Sequence, residues 1–198
     1  MSLRVASQRA LRVPHLLCRN IEPPSRSFIS IPGLTDNSSS QHLTATRTLP
    51  YATGPLYTLI ADVDSYSAFV PYCSHSRVIS HSLPDPETGV RQPILADLHV
   101  GWGGFDEKFT SRLRCVPGVS VEALSGGGGE DGNASAVFKS LVTRWTLRKV
   151  EEKKTEVHLD IKYQFTSPLY AAVSAAVSDR VATMMVEAFE KQAKQQLG

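Results

Sequence analysis

Between Ile94 and Phe165 the chain reads as a succession of strands, and after Ser167-Pro168 its period changes once to that of a helix. Ile94, Ala96, Leu98, Val100 and Trp102 alternate with polar positions that include Asp97 and His99. Gly103-Gly104 fits a hairpin turn. Beyond it Phe105, Glu107, Phe109, Ser111, Leu113 and Cys115 share one side of the next strand, with Lys108, Thr110, Arg112 and Arg114 on the other. Such alternation puts one set of side chains on each face of a pleated sheet. Pro117-Gly118 turns into a short strand over 119–124. Residues 138–150 and 157–165 are two long strands joined by the charged turn 151–154, and Val157, Leu159, Ile161, Tyr163 and Phe165 face inward. Ser167 then suits a helix cap and Pro168 a first turn. Leu169, Val173, Val177, Val181, Met184 and Ala188 make an apolar stripe, widened by Met185 and Phe189. The pattern runs to Leu197, a helix of about 45 Å at 1.5 Å per residue. A long antiparallel sheet must bury one face, and only this helix is large enough to cover it. A strongly curved sheet around one helix is not filled everywhere by short side chains, so a cavity between them is expected.

The front of the folded part is simpler. Leu43, Ala45 and Leu49 alternate with Thr44, Thr46 and Thr48 as a first strand. Gly54-Pro55 breaks it, and Leu56, Leu59 and Ile60 give a short helix ending near Asp62. Asp64 is placed to cap a second short helix through Phe69, which Pro71 closes; a strand follows over 76–83. The order is strand, two small helices, six strands and one long helix, an α+β domain. Residues 125–135, with four consecutive glycines, read as a mobile loop.

Composition bounds the rest. The chain has 198 residues, 41% apolar and 20% charged, with a net charge of +2. That profile is globular, and so small a charge gives no reason to expect a nucleic-acid partner. Five arginines (Arg4, Arg9, Arg12, Arg19 and Arg26) stand against one acid, Glu22, before residue 36. An arginine-rich, acid-poor, amphipathic start describes a mitochondrial transit peptide, with cleavage expected near Phe28; a basic tail without a targeting role is the other reading. Residues 1–40 are therefore taken as targeting segment and leader, and 41–198 as the domain. Cys18, Cys73 and Cys115 form no CxxC pair and read as free thiols. No apolar run approaches the ~20 residues a spanning helix needs, so any membrane contact is expected to be peripheral.

Specific blocks carry a resemblance. Asp62-Val63-Asp64-Ser65-Tyr66, followed by Phe69-Val70-Pro71-Tyr72-Cys73 and Ser76-Arg77-Val78, resembles the signature of the mitochondrial coenzyme Q-binding proteins of the START and polyketide-cyclase superfamily, which often have Trp where this chain has Tyr72. Leu98-His99-Val100-Gly101 with the run from Glu107 to Arg112 is similar to a second block. Phe138-Lys139-Ser140-Leu141 with Trp145, and Phe165 with the terminal helix, are similar to a third and fourth. The likeness spans about residues 41–195, and nothing in it covers the glycine-rich loop. It implies a helix-grip (START-like) fold: a curved antiparallel sheet of about seven strands around a long C-terminal helix, with two short helices after the first strand. It further implies a hydrophobic cavity for coenzyme Q (ubiquinone), a polyisoprenoid quinone. The implied role is that of a lipid chaperone or carrier in respiratory electron transport and coenzyme Q biosynthesis, without turnover. Its place would be the matrix side of the mitochondrial inner membrane, with respiratory or quinone-biosynthesis proteins as partners. No cofactor or metal is implied.

The cavity wall expected from this reading is Phe69, Val70, Tyr72, Trp102, Phe109, Trp145, Tyr163, Phe165, Val181, Met184, Met185 and Phe189, although each aromatic also reads as ordinary core. Methionine suits a pliable wall. No HExxH, GxSxG or P-loop occurs, and GWGGF at 101–105 precedes no helix. His42, His75, His81, His99 and His158 are scattered on polar faces. Asp62 and Asp64 read as a helix end and a cap. Glu107 is the exception, because alternation places it beside Phe109 on the apolar side, and a buried carboxylate is costly unless paired. Either a bulge after Gly104 turns it outward, or it meets Arg47 or Arg77, or it contacts the quinone headgroup. An aromatase/cyclase-type enzyme is the alternative function, with Glu107 as its candidate acid. A ribosome- or protein-interaction module is a third, though no concentrated basic or apolar patch marks one.

Overall fold

The structure, a computed structural model, describes residues 40–102, 105–126, 135 and 137–198, with backbone alone at 102, 105, 169 and 171–179. The expected targeting segment, the expected turn at Gly103-Gly104 and most of the glycine-rich stretch lie outside the described residues. The chain runs β1 (Gln41–Leu49), α1 (Thr53–Ala61), a 3-10 helix (Val63–Ala68), β2 (Cys73–His81), β3 (Pro93–Trp102), β4 (Phe105–Val116), β5 (Ser120–Gly126), β6 (Phe138–Glu151), β7 (Lys154–Phe165) and α2 (Pro168–Leu197). The seven strands form one curved antiparallel sheet in the order β1-β7-β6-β5-β4-β3-β2. Strands β2 to β7 are thus a meander, and β1 closes beside the last strand, Ala45 opposite Leu159. The sequence of elements is the expected one, and α+β helix-grip architecture follows from it.

Curvature has local causes. Register shifts leave one extra residue at Ser74 and Ile79 in β2, at Ile94 in β3, and at Lys139 and Val150 in β6. Each such bulge bends its strand and increases its twist. Opposite Ser140 and beside the Lys139 bulge, Gly126 ends β5 at φ +80, where an added Cβ would lie 2.9 Å from the Phe138 and Lys139 carbonyl oxygens. Only glycine fits that close approach.

The outer face carries cross-strand polar pairs: His42 with Asp160 (2.6 Å), Lys108 with Asp97 (2.9 Å) and Arg144 with Glu122. The histidines lie on it as expected, with His158 bonded to Thr46. Surface ion pairs contribute about 0–1 kcal/mol each; of these residues Glu122 is itself buried. Burial of the inner face stabilises the fold far more, and it is uneven. At one end Leu49, Leu56, Ile60, Leu147 and Val157 are all 5% exposed or less and fill the space between sheet, α1 and α2.

Two expectations change here. Asp64 does not cap the 3-10 helix; it sits in the first turn, and its Oδ1 accepts the Val78 backbone N–H at 2.6 Å, tying the helix to edge strand β2. Among the described residues of α2 the most deeply buried are Ala182, Val186, Phe189 and Ala193, one helical face at i, i+4, i+7 and i+11; the side chains of Leu169, Val173 and Val177 lie outside the described residues. Val181 and Met184 lie beside that face, and Ala188 is half-buried.

Candidate functional site

The small residues of the middle strands create a hollow. On the inner face β4 offers Ser111 opposite Ala96 of β3, and β5 offers Ala123 opposite Thr143 of β6. Ser125 stands next to Ser111, their Oγ atoms 2.6 Å apart. No bulky side chain rises from this patch of the sheet, and the result is a cavity of about 210 Å³ between the sheet and the middle of α2.

Its walls are almost wholly apolar. Leu98 and Val100 come from β3, Phe109 and Leu113 from β4, Phe138, Leu141 and Trp145 from β6, and Ile161, Tyr163 and Phe165 from β7. Phe138 stacks on Phe165 at 5.2 Å and meets Tyr163 and Phe109 edge to face at 6.2 and 6.0 Å. Such offset and T-shaped contacts stabilise rings beyond simple burial. Helix α2 contributes Val181, Met184 and Met185, and the chain after the 3-10 helix contributes Val70, Pro71, Tyr72 and Cys73. Tyr72 lines the cavity and is 40% exposed, which puts the opening beside it. Its backbone has φ 63, a left-handed conformation that costs a bulky residue energy.

Among the described residues no carboxylate, imidazole, amine or guanidinium lines the cavity. Its titratable groups are phenols and one thiol. Tyr66 is buried, which pushes its phenol well above the ordinary value, and its O–H donates to the Ile60 carbonyl. Burial likewise raises the Cys73 thiol. Both groups are neutral at physiological pH. No group of His, Cys, Asp and Glu among the described residues is arranged to hold a metal.

These features match a known family. Residues 49–190 match the model of the family described as polyketide cyclase / dehydrase and lipid transport. The mitochondrial coenzyme Q-binding protein of Schizosaccharomyces pombe is 34% identical over 150 residues, which cover 76% of this chain and 85% of the relative. The chain belongs to this family, in the group that holds the coenzyme Q-binding proteins. The ribosome association toxin RatA of Pseudomonas aeruginosa is 32% identical over 159 residues, 80% of this chain and 99% of the relative. Among solved structures the Zhui aromatase/cyclase of Streptomyces sp. R1128 superposes with a TM-score of 0.66 over 81% of this chain and 97% of its own, at 14% identity. That likeness is one of fold.

Within this member of the family the sequence-predicted wall is largely brought together. Val70, Tyr72, Phe109, Trp145, Tyr163, Phe165, Val181, Met184 and Met185 all line the cavity. Phe69 and Phe189 stand just behind it, 4.9 Å apart and edge to face. The Trp102 side chain lies outside the described residues.

The proposed polar contacts are elsewhere. Arg47 reaches α2, 3.6 Å from both Glu187 and Glu190, so an Arg47–Glu107 pair does not form. Arg77 is exposed opposite Asp97. No bulge turns Glu107 outward, since β3 and β4 stay in register from Trp102 opposite Phe105 to Leu95 opposite Arg112. Instead Glu107 accepts the Ser135 Oγ–H at 2.7 Å and the Val137 N–H at 3.3 Å, fastening the chain that enters β6. It is not one of the lining residues.

Sequence reasoning missed Ser111, Ala123, Ser125 and Thr143. Their signal is a run of small residues at inward positions on adjacent strands, where a solid core needs large ones.

Proposed function

We propose that this protein binds coenzyme Q in the hollow between its sheet and α2 and acts as a lipid chaperone or carrier rather than as an enzyme. The observation that carries this reading is a cavity of about 210 Å³ with no charged group among the described residues of its wall. An apolar cavity of about 150 Å³ takes up benzene, so this one has room for a substituted six-membered ring and the start of a tail. A neutral quinone suits an uncharged wall, and Met184 and Met185 let the wall adapt to a flexible chain. The names of the Schizosaccharomyces pombe protein and of its Saccharomyces cerevisiae counterpart agree with this ligand.

Energetics shape the mechanism. Each buried CH₂ contributes about 0.8 kcal/mol relative to water, but a quinone tail in a bilayer is already dry. Extraction therefore gains little from the tail, and selectivity rests on the headgroup and on cavity shape. A tail too long for the hollow leaves through the opening beside Tyr72 and stays in lipid. On this reading the protein works while docked peripherally on the matrix side of the inner membrane, reached through the arginine-rich N-terminal segment, and serves respiratory electron transport and quinone synthesis. Val70→Asp, at the opening, lowers co-sedimentation with cardiolipin-containing vesicles; unchanged binding counts against this docking face.

The aromatase/cyclase reading needs an acid or base inside the cavity, and its one candidate, Glu107, is engaged with Ser135 and Val137. Lipid extraction from purified protein followed by mass spectrometry tests the carrier reading. Quinone at near one-to-one ratio is the expected result; protein free of quinone, or loaded with a polyketide, refutes it.

A further inference from the structure

The floor of the cavity carries one polar feature that packing does not explain. Ser111 is 1% exposed and Ser125 is 7% exposed, and both line the hollow. Each hydroxyl has one hydrogen to give and two lone pairs. Their 2.6 Å contact uses one hydrogen, whichever residue donates. Among the described residues the second hydroxyl hydrogen has no acceptor. A buried donor left without one is unfavourable, and alanine at both positions would keep the same space without that cost. The flanking inward residues, Phe109 and Leu113 on β4 and Ala123 on β5, are apolar, and the nearest other inward hydroxyl across β5 is that of Thr143, opposite Ala123.

Its position along the sheet matters too. The Tyr72 carbonyl, at the opening, accepts the Gly101 N–H at 2.9 Å. Ser111 lies opposite Ala96, five positions along β3 from Gly101, or about 16 Å at 3.3 Å per residue.

We infer that the Ser111–Ser125 hydroxyl pair is the headgroup site of this cavity, hydrogen-bonding a ring oxygen of a neutral quinone held head-inward with its tail toward Tyr72. The inference rests on the quinone-binding reading above. The pair donates its spare hydrogen to a quinone carbonyl. By rotating the hydroxyls it accepts from a quinol O–H, so both redox forms of the ring are served by the same two atoms. Among the described residues no countercharge lines the cavity for an anionic headgroup, which favours neutral ring lipids over fatty acids and phospholipids.

The test uses the full chain, Ser111→Ala, Ser125→Ala and the double variant. Each is titrated with a decyl-tailed ubiquinone, followed by quenching of Trp fluorescence, since Trp145 lines the cavity. Each is also titrated with a headless isoprenoid hydrocarbon, followed by displacement of a cavity-bound dye. One lost hydrogen bond weakens quinone binding about fivefold. That full loss is expected in the double variant, whereas each single variant keeps one hydroxyl hydrogen for the quinone and loses less. Hydrocarbon affinity stays unchanged. Infrared spectra of bound, carbonyl-labelled quinone show a lowered C=O stretch in the wild type that returns toward its free value in the double variant. Unchanged quinone affinity and C=O stretch in all variants overturn the headgroup site while leaving the quinone-binding cavity intact. Equal losses for quinone and hydrocarbon also overturn it, since the serines then act only on packing. A wild-type chain that binds hydrocarbon but not quinone overturns the underlying reading as well.

Discussion

The indole of Trp145 and the ring of Phe189 lie 4.6 Å apart, centroid to centroid, and join sheet to helix at the boundary between solid core and hollow. On one side Trp145 lines the cavity. On the other, Phe189 meets Tyr66 at 5.2 Å and Phe69 at 4.9 Å, both edge to face. Four rings from β6, α2, the 3-10 helix and the residue after it thus form one partition, and the cavity keeps its shape because the partition is packed rather than flexible.

Phe189→Ala removes the member that touches all three others and is 3% exposed. Truncations of this kind cost about 3–5 kcal/mol. The expected result is a fall of that size in unfolding free energy by chemical denaturation. A loss below about 1 kcal/mol would show that the partition does not hold helix to sheet.

Tyr72 holds φ 63 at the cavity opening. A left-handed conformation costs an ordinary L-residue roughly 1–2 kcal/mol, and glycine escapes that cost. Comparing Tyr72→Ala with Tyr72→Gly separates backbone strain from loss of the ring. The glycine variant is expected to be the more stable of the two by about 1 kcal/mol once glycine's larger unfolded-state entropy is set against the relief. Equal stabilities would show that the turn relaxes when the phenol is removed.

Glu107 acts as an anchor for the chain entering β6, and its variants distinguish that role from chemistry. Glu107→Ala leaves the Ser135 hydroxyl and the Val137 N–H without this acceptor, at a cost of about 1–3 kcal/mol. Glu107→Gln keeps a carbonyl oxygen in place and is expected to retain both fold and quinone content. Thermal melts and quinone analysis of the two variants check this; a glutamine variant that folds normally but is empty of quinone would return Glu107 to the binding site.

Much of this architecture was legible because long-range packing agreed with local pattern. The inward set Val157, Leu159, Ile161 and Tyr163 is 6% exposed or less, as alternation required. The helix from Pro168 to Leu197 follows from a cap, a proline and a period. The cavity wall was readable where it is made of aromatics and methionines on those elements. What was hidden depends on register between strands far apart in sequence. Ser111 and Ser125 are 14 residues apart, and only the pairing of β4 with β5 makes them neighbours. Arg47 shows the opposite error. It interrupts the inward alternation of β1, which in sequence calls for a buried partner, yet the end of β1 is where α2 passes, and Glu187 and Glu190 meet it in solvent.

Four groups give the domain an alkaline limit. Burial raises the Cys73 and Cys115 thiols above the ordinary 9.0 and the Tyr57 and Tyr66 phenols above the ordinary 10.0. Above those ordinary values the unfolded chain releases protons that the folded chain still holds. The unfolded state then binds fewer protons, so stability falls as pH rises. The contribution is whole below pH 9, begins to fade as free thiols ionise and falls more steeply past pH 10. Tyr66→Phe removes one such proton but leaves the Ile60 carbonyl without its donor. It is expected to be less stable than the wild type at pH 7 and to lose stability more gently between pH 9.5 and 11. Urea unfolding at a series of pH values gives both slopes; parallel curves for the two proteins would mean that Tyr66 ionises as readily folded as unfolded.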